Sequence, residues 1–191
     1  MNSKDVQFWQ TEGINHLRWQ GAPKFYEGVD NVKAVVRLVG DSTVRDVGCG
    51  YGRLVEFYNP EKYIGYDICE SAIKKAKTLN PKYTFYHWDF SKLLPAEVTT
   101  FINGPHLVSD DEIEELFSIL CVNTKAVVFA EPMEDNLRRY WKNLPYGTHT
   151  RNIEVYDSLF QKYNFKRVDT YVGTHLTDKI NYTAARWELF N

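Results

Sequence analysis

Cysteine is scarce in this chain, which holds only three among 191 residues: Cys49, Cys69 and Cys121. They show neither C-x-x-C spacing nor a nearby histidine at metal-ligand spacing, which excludes a zinc site and a disulfide framework. We therefore predict no metal. A sparse, odd set of cysteines is typical of a reduced intracellular chain.

A long hydrophobic run is also missing. The first ten residues are polar and mixed, and no later stretch approaches the 18 apolar residues that a membrane-spanning helix needs. We expect no secretion signal and no membrane partner, and we place the protein in the cytoplasm. The pattern leaves the oligomeric state open.

A surplus of basic residues is absent too, since 23 Lys and Arg face 25 Asp and Glu, for a net charge of -2. Proteins that grip nucleic acid by its phosphates usually carry more positive than negative charge. The balance therefore disfavours nucleic acid as a partner, although a local basic patch is compatible with it.

What the chain does contain is a repeated alternation of strand-like and helix-like segments. Its length fits one domain over residues 1–191, in which the aromatic and polar segment 1–28 flanks or caps a site. The predicted strands are 42–47, 63–66, 83–87, 98–102, 125–130, 165–172 and 182–190. The predicted helices are 30–39, 53–58, 71–79, 110–121 and 152–163.

This alternation predicts an α/β fold of the Rossmann-like, doubly wound type, with a mostly parallel seven-stranded sheet and helices on both faces. About ten residues separate the last two strands, which is too few for a helical crossover. The sheet should therefore end in an antiparallel C-terminal strand pair.

A glycine-rich loop, Asp-Val-Gly-Cys-Gly-Tyr-Gly at 46–52, stands where a strand turns into a helix. Glycines permit a tight turn and let a ligand approach the backbone. The dinucleotide pattern G-x-G-x-x-G would need glycine at Arg53, and the Gly-Lys-Ser/Thr of a P-loop is absent. An acid two residues before Gly48 suits a cationic ligand better than a pyrophosphate.

Two more acids follow later strands. Asp67 ends the second predicted strand, where a carboxylate can accept hydrogen bonds from ribose hydroxyls. Asp89 ends the third, within His-Trp-Asp-Phe at 87–90, where it can take an exocyclic amine while rings cover a base. Either acid alone could be a helix cap or turn residue, but with Asp46 they form a set around one loop.

These residues resemble the motifs of class I S-adenosylmethionine-dependent methyltransferases over roughly residues 30–190. The loop at 46–52 matches the family's acid-x-Gly-x-Gly-x-Gly motif, residues 63–67 resemble its second motif and Trp88-Asp89 its third. The resemblance implies S-adenosylmethionine as cofactor and S-adenosylhomocysteine as product. The cofactor-binding residues it implies are Asp46, Gly48, Cys49, Gly50, Gly52, Asp67, Ile68, Trp88, Asp89, Phe90 and Asn103.

Within the resemblance, Asp46 and the glycine backbone would hold the methionine end of the cofactor. Asp67 would bind the ribose, Ile68 would pack on the adenine, and Asp89 would receive the adenine amine beneath Trp88 or Phe90. An Asp67→Ala variant is accordingly expected to bind the cofactor more weakly by about 1–3 kcal/mol and to keep its fold.

The acceptor is less well defined. The loop Asn103-Gly104-Pro105-His106 lacks the Asp/Asn-Pro-Pro-aromatic signature of base-amine methylation, so we expect O- or N-methylation of a small-molecule acceptor. His106 is a candidate general base, and the alternative is a surface histidine before a helix. Candidate acceptor-binding residues, which could equally serve packing, are Trp9, Arg18, Trp19, Tyr26, Tyr140 and Trp141.

Three alternatives remain from the sequence. An RNA or protein methyltransferase would show a basic groove beside the cofactor. A non-catalytic S-adenosylmethionine-binding protein would keep the three acids, because they serve binding. A nicotinamide oxidoreductase is disfavoured by Arg53 at a glycine position.

Overall fold

A seven-stranded sheet with helices on both faces forms the fold of the computed structural model. The structure describes residues 7–8, 30–132, 149–174 and 181–190. The strands are β1 (Val44–Val47), β2 (Tyr63–Asp67), β3 (Thr84–His87), β4 (Val98–Ile102), β5 (Ala126–Pro132), β6 (Phe165–Thr174) and β7 (Asn181–Leu189). The α-helices with defined bounds are α1 (Asp30–Val39), α2 (Glu70–Leu79), α3 (Asp110–Leu120) and α4 (Ile153–Gln161), and short 3-10 helices lie at Val55–Phe57, Pro60–Lys62 and Pro105–Leu107.

The strand order is β3-β2-β1-β4-β5-β7-β6. The first five strands pair in parallel, and β7 pairs antiparallel with both β5 and β6. The predicted doubly wound sheet and its antiparallel end are therefore confirmed. The order reverses beside β1, which places the carboxyl ends of β1 and β4 at the crevice where such sheets bind ligands.

Each face of the sheet carries its own apolar core. Helices α1 and α2 cover one face and bury Val35 and Ile73 against the strands. Helices α3 and α4 cover the other, where Phe117 and Phe160 pack around Phe129 of β5. Central strands buried on both faces explain why β1, β4 and β5 have no solvent-facing position.

One predicted element is wrong. Residues 53–58 do not form an α-helix; turns lead into a single 3-10 turn at Val55–Phe57. Gly52 sits in the left-handed region with φ 87°, and Asn59 is extended before Pro60, so too few residues remain between them for a helix. The other predicted elements are present, with ends shifted by a residue or two.

No helix in the described part of the chain combines the length and apolar character needed to cross a bilayer.

Candidate functional site

The glycine loop leaves the end of β1 with an unusual backbone. Gly48, Gly50 and Gly52 have φ of 67°, 56° and 87°, so all three lie in the left-handed region that favours glycine. The amide of Cys49 donates to the carbonyl of Tyr66 at 3.0 Å, which fastens the loop to β2. The loop lies at the crevice end of the sheet, with Gly48 partly exposed and Gly50 and Gly52 buried.

Gly48→Ala tests this geometry. Its Cβ would lie 2.9 Å from Cε2 of Phe101, whereas a Cβ on Gly40, with the same φ of 67°, would meet nothing within 4 Å. Gly40→Ala should lower the free energy of unfolding by about 1–2 kcal/mol, because alanine is strained in the left-handed region. Gly48→Ala should cost about 1–3 kcal/mol more through overpacking. If urea denaturation shows that both variants lose the same free energy of unfolding, the Phe101 ring moves aside freely.

Asp67, the last residue of β2, holds the loop in place. One carboxylate oxygen accepts from the amide of Gly50 at 2.8 Å and the other from the amide of Cys69 at 2.9 Å. Burial raises the pKa of this carboxyl, and the two backbone donors act against that rise. Each oxygen keeps a further lone pair with which to accept hydrogen bonds from a ligand.

Asp46 lies in the interior of the protein, beneath the glycine loop. It is fully buried, and its two oxygens accept from the hydroxyls of Tyr63 at 2.9 Å and Thr100 at 2.8 Å. Burial raises its pKa, and the cation of Arg53 opposes that rise. The strands on either side of β1 thus hold this carboxylate beneath the loop. Cys49 is also fully buried there, and its pKa is raised by burial.

The third motif lies past the end of β3, which stops at His87, so Asp89 does not end the strand as predicted. Asp89 is exposed, and its carboxylate accepts from the amide of Ser91 at 3.0 Å. Hydrogen bonds from the side chain and then the backbone of Ser91 lower the pKa of Asp89. Trp88 is buried and contacts the ring of Phe90, with ring centroids 4.9 Å apart.

Phe90 and Ile68 are both half-buried beside these acids. Phe90 has a left-handed φ of 65°, which is uncommon for a bulky residue. Strained residues of this kind cluster at binding sites. Both side chains pack against the apolar core that α3 and α4 cover.

Asn103 follows β4 directly, beside the loop after β1. Its φ is 53°, and its amide donates to the carbonyl of Ala130 at 2.9 Å. The side-chain oxygen Oδ1 is buried and has no hydrogen-bond partner. A buried acceptor without a donor is costly, so this oxygen is suited to accept a hydrogen bond from a ligand.

His106 is not a surface residue, because only 1% of it is exposed. Its ring nitrogen Nδ1 lies 2.6 Å from Oε2 of Glu131, the penultimate residue of β5. Glu131 is fully buried and also accepts from the amides of Gly104 at 2.8 Å and His106 at 3.2 Å. This carboxylate therefore fixes both the loop after β4 and the orientation of the imidazole.

Sequence reasoning missed Glu131. A signal for it existed, since it is a lone acid at the crevice end of the most apolar strand, Ala126–Pro132. Parallel strands bring such an end beside the loops that follow their neighbours. The predicted acceptor-binding residues Trp9, Arg18, Trp19, Tyr26, Tyr140 and Trp141 lie outside the described residues. Within the described ranges, no group of three or more His, Cys, Asp and Glu could hold a metal ion.

Comparison by sequence identifies no relatives: no protein-family model matches the chain, and no curated protein matches it. Comparison by structure does. The chain resembles magnesium protoporphyrin IX methyltransferase from Synechocystis PCC 6803, solved with bound S-adenosylhomocysteine, at TM-score 0.76 and 13% identity, over 97% of this chain and 98% of that one.

Two further solved structures agree. The N-methyltransferase NodS from Bradyrhizobium japonicum WM9, in complex with S-adenosylhomocysteine, aligns at TM-score 0.73 and 13% identity, over 95% of this chain and 99% of that one. The 1,6-didemethyltoxoflavin-N1-methyltransferase from Burkholderia thailandensis aligns at TM-score 0.72 and 12% identity, over 100% and 92%. The chain therefore has the Rossmann-like fold of class I methyltransferases.

Proposed function

We propose that this protein is an S-adenosylmethionine-dependent methyltransferase acting on a small-molecule acceptor. The observation that carries the proposal is the joining of the glycine loop to Asp67, which ties the amide of Gly50 to a buried carboxylate at the crevice end of β2. This contact sets bare backbone and a ribose-accepting acid side by side, on the fold of enzymes solved with this cofactor or its product.

S-adenosylmethionine would supply a methyl group on a positively charged sulfur, which leaves as a neutral thioether when an acceptor oxygen or nitrogen bonds to the methyl carbon. The residues of this chain then have three tasks. Asp67 accepts hydrogen bonds from the ribose, Gly48 and Gly50 let the ligand lie against the backbone, and Asn103 offers its buried oxygen to the cofactor's amino-acid end.

The adenine would lie on the apolar surface formed by Ile68 and Phe90, with Asp89 at its rim. Asp46 supports the loop from beneath and adds negative charge below a cationic cofactor, while its oxygens remain bonded to Tyr63 and Thr100. Cys49 and Gly52 shape the loop. Trp88 lies in the core and supports Phe90 through a ring contact.

On the acceptor side, His106 would hold or receive the proton that an acceptor hydroxyl or amine gives up as the methyl group is transferred. Glu131 supports this role, because its buried carboxylate holds one ring nitrogen and so fixes the orientation of the imidazole. Alignment alone supplies much of the rate of such a transfer. Loss of His106 should therefore lower the rate without abolishing it.

A small acceptor is favoured by the near-neutral charge of the chain. Two of the similar structures are also named for small acceptors, magnesium protoporphyrin IX and 1,6-didemethyltoxoflavin. A nucleic-acid acceptor would instead call for a basic surface.

A thermal-shift titration with S-adenosylmethionine, S-adenosylhomocysteine and NAD in parallel tests the proposal. Saturable stabilisation by the first two alone is expected, since a ligand of the native state raises the unfolding temperature by linkage. A screen for release of S-adenosylhomocysteine with candidate acceptors would follow. A response to NAD alone, or to none of the three, would overturn the assignment.

A further inference from the structure

Arg151, just before α4, is a buried cation of which only 5% is exposed. Its Nη1 donates to the carbonyls of Pro105 at 3.1 Å and His149 at 2.9 Å. Its Nη2 donates to the carbonyl of Val108 at 2.8 Å, and both Nη2 and Nε donate to Oδ1 of Asp110. A guanidinium has five N–H groups, so each of them has an acceptor, and three of the five bonds go to backbone carbonyls.

These carbonyls surround His106. Pro105 precedes it and Val108 follows it in the 3-10 turn after β4 and at the end of that turn. The carbonyl of His106 itself accepts from the amide of His149 at 2.7 Å, and Arg151 holds the carbonyl of that same residue. The guanidinium therefore fixes the backbone before, after and opposite His106.

The turn is held from two sides. Glu131 takes its amide side, since the carboxylate accepts from the amides of Gly104 and His106 as well as lying 2.6 Å from Nδ1 of the ring. Arg151 takes its carbonyl side. An ionised carboxylate can only accept, so Nδ1 carries the proton and Nε2 is the nitrogen that can receive one. A group that moves a proton must be held to within about 0.5 Å, and this double hold supplies such precision.

Electrostatics alone does not explain an arginine at this place. Helix α3 begins at Asp110 and α4 at Ile153, and the N-terminus of a helix carries a partial positive charge that disfavours a cation. Asp110 offsets this cost only in part, because its side chain is 82% exposed and solvent screens the attraction. The hydrogen bonds to the carbonyls of the turn therefore account for the residue.

We propose that Arg151 is a positioning residue for His106. It locks the turn after β4 so that Nδ1 of His106 stays on Glu131 and the proton of the acceptor is received at Nε2. The inference rests on the proposed function for the role of His106, and it adds the residue that keeps the imidazole in its working tautomer.

A purely structural role is the competing explanation. In that case Arg151 only joins α3 to α4, and Glu131 alone orients the ring of His106. Both explanations predict lower stability when Arg151 is replaced. Only the positioning role predicts that the tautomer of His106 depends on Arg151.

The test is long-range proton–nitrogen correlation NMR of the histidine rings in the whole chain, at a pH where these rings are neutral. The chain has five histidines, and a His106→Gln variant identifies the signals of His106. The wild-type protein should show the Nδ1–H tautomer alone. Arg151→Met should show a mixture of both tautomers, because a ring released from Glu131 can carry its proton on either nitrogen.

Arg151→Lys keeps the charge but not the planar fork, so it should lose the single tautomer in part, and it decides the matter if Arg151→Met fails to fold. Arg45→Lys is the matched control. Arg45 is also buried and donates to the carbonyls of Leu120 and Val122, at the opposite end of α3. Its replacement should lower stability but leave the tautomer of His106 unchanged.

A single Nδ1–H tautomer in both Arg151 variants would overturn the inference. So would a mixture of tautomers in the wild-type protein or in Arg45→Lys. A wild-type protein that binds neither S-adenosylmethionine nor S-adenosylhomocysteine in calorimetric titration would instead overturn the proposed function, and the NMR signals of His106 do not depend on that result.

Discussion

Replacing Asp67 by alanine is expected to lower the affinity for S-adenosylhomocysteine by about 10- to 100-fold and to destabilise the fold by about 1–3 kcal/mol. The first effect follows from loss of the carboxylate that we propose binds the ribose. The second follows from the amides of Gly50 and Cys69, which lose their buried acceptor. This second effect revises the expectation from sequence that the variant keeps an undisturbed fold.

Calorimetric titration and urea denaturation measure the two effects separately. Asp89→Ala is the matched control, because Asp89 also belongs to the proposed cofactor site but is exposed. It should reduce affinity and leave the free energy of unfolding nearly unchanged. If Asp67→Ala binds S-adenosylhomocysteine as tightly as the wild-type protein does, Asp67 only holds the glycine loop in position and does not bind the ribose.

Replacing Glu131 by alanine should have the largest effect on stability, about 3 kcal/mol or more. Three buried donors, the amides of Gly104 and His106 and the His106 ring, would lose their common acceptor. Each buried donor left unpaired costs about 1–3 kcal/mol, although such costs do not add fully. The imidazole would also lose its orientation, so methyl transfer should slow.

Denaturant unfolding of Glu131→Ala and Glu131→Gln checks the size of this effect. The glutamine variant keeps one acceptor oxygen and should lose less stability. Glu97→Gln is the control, since Glu97 also accepts from a backbone amide, that of Thr43 at 3.1 Å, but its side chain is 46% exposed. A loss for Glu131→Ala no greater than for Glu97→Gln would contradict the interpretation of the buried cluster.

Much of the fold could be predicted from the order of its segments. Strands at regular intervals between helical patterns define a parallel sheet, and the short connection before β7 requires an antiparallel end. The failure at 53–58 has a local cause. The apolar spacing there resembles a helix, but left-handed Gly52 and the extended residue before Pro60 leave too little chain to nucleate one.

The candidate site could likewise be predicted only in part. Gly48, Gly50 and Gly52 could be found from sequence because a backbone that needs positive φ selects glycine, and that selection is visible in the letters alone. The sequence does not show which side chains are buried. His106 could be read as a surface residue, and nothing near it in sequence pointed to Glu131, which lies 25 residues away along the chain.

The sequence by itself thus determined the alternation of strands and helices, the turn of the glycine loop and the position of Asp67 at the end of a strand, because propensity, periodicity and backbone conformation are local properties. Only the tertiary structure decided which polar groups share a partner. Asp46 is enclosed by Tyr63 and Thr100, Asp67 holds the loop, and Arg53 and Asn103 each retain an unpaired buried atom. Such pairings join residues distant in sequence, and their energies depend on burial, which exists only once the sheet has formed.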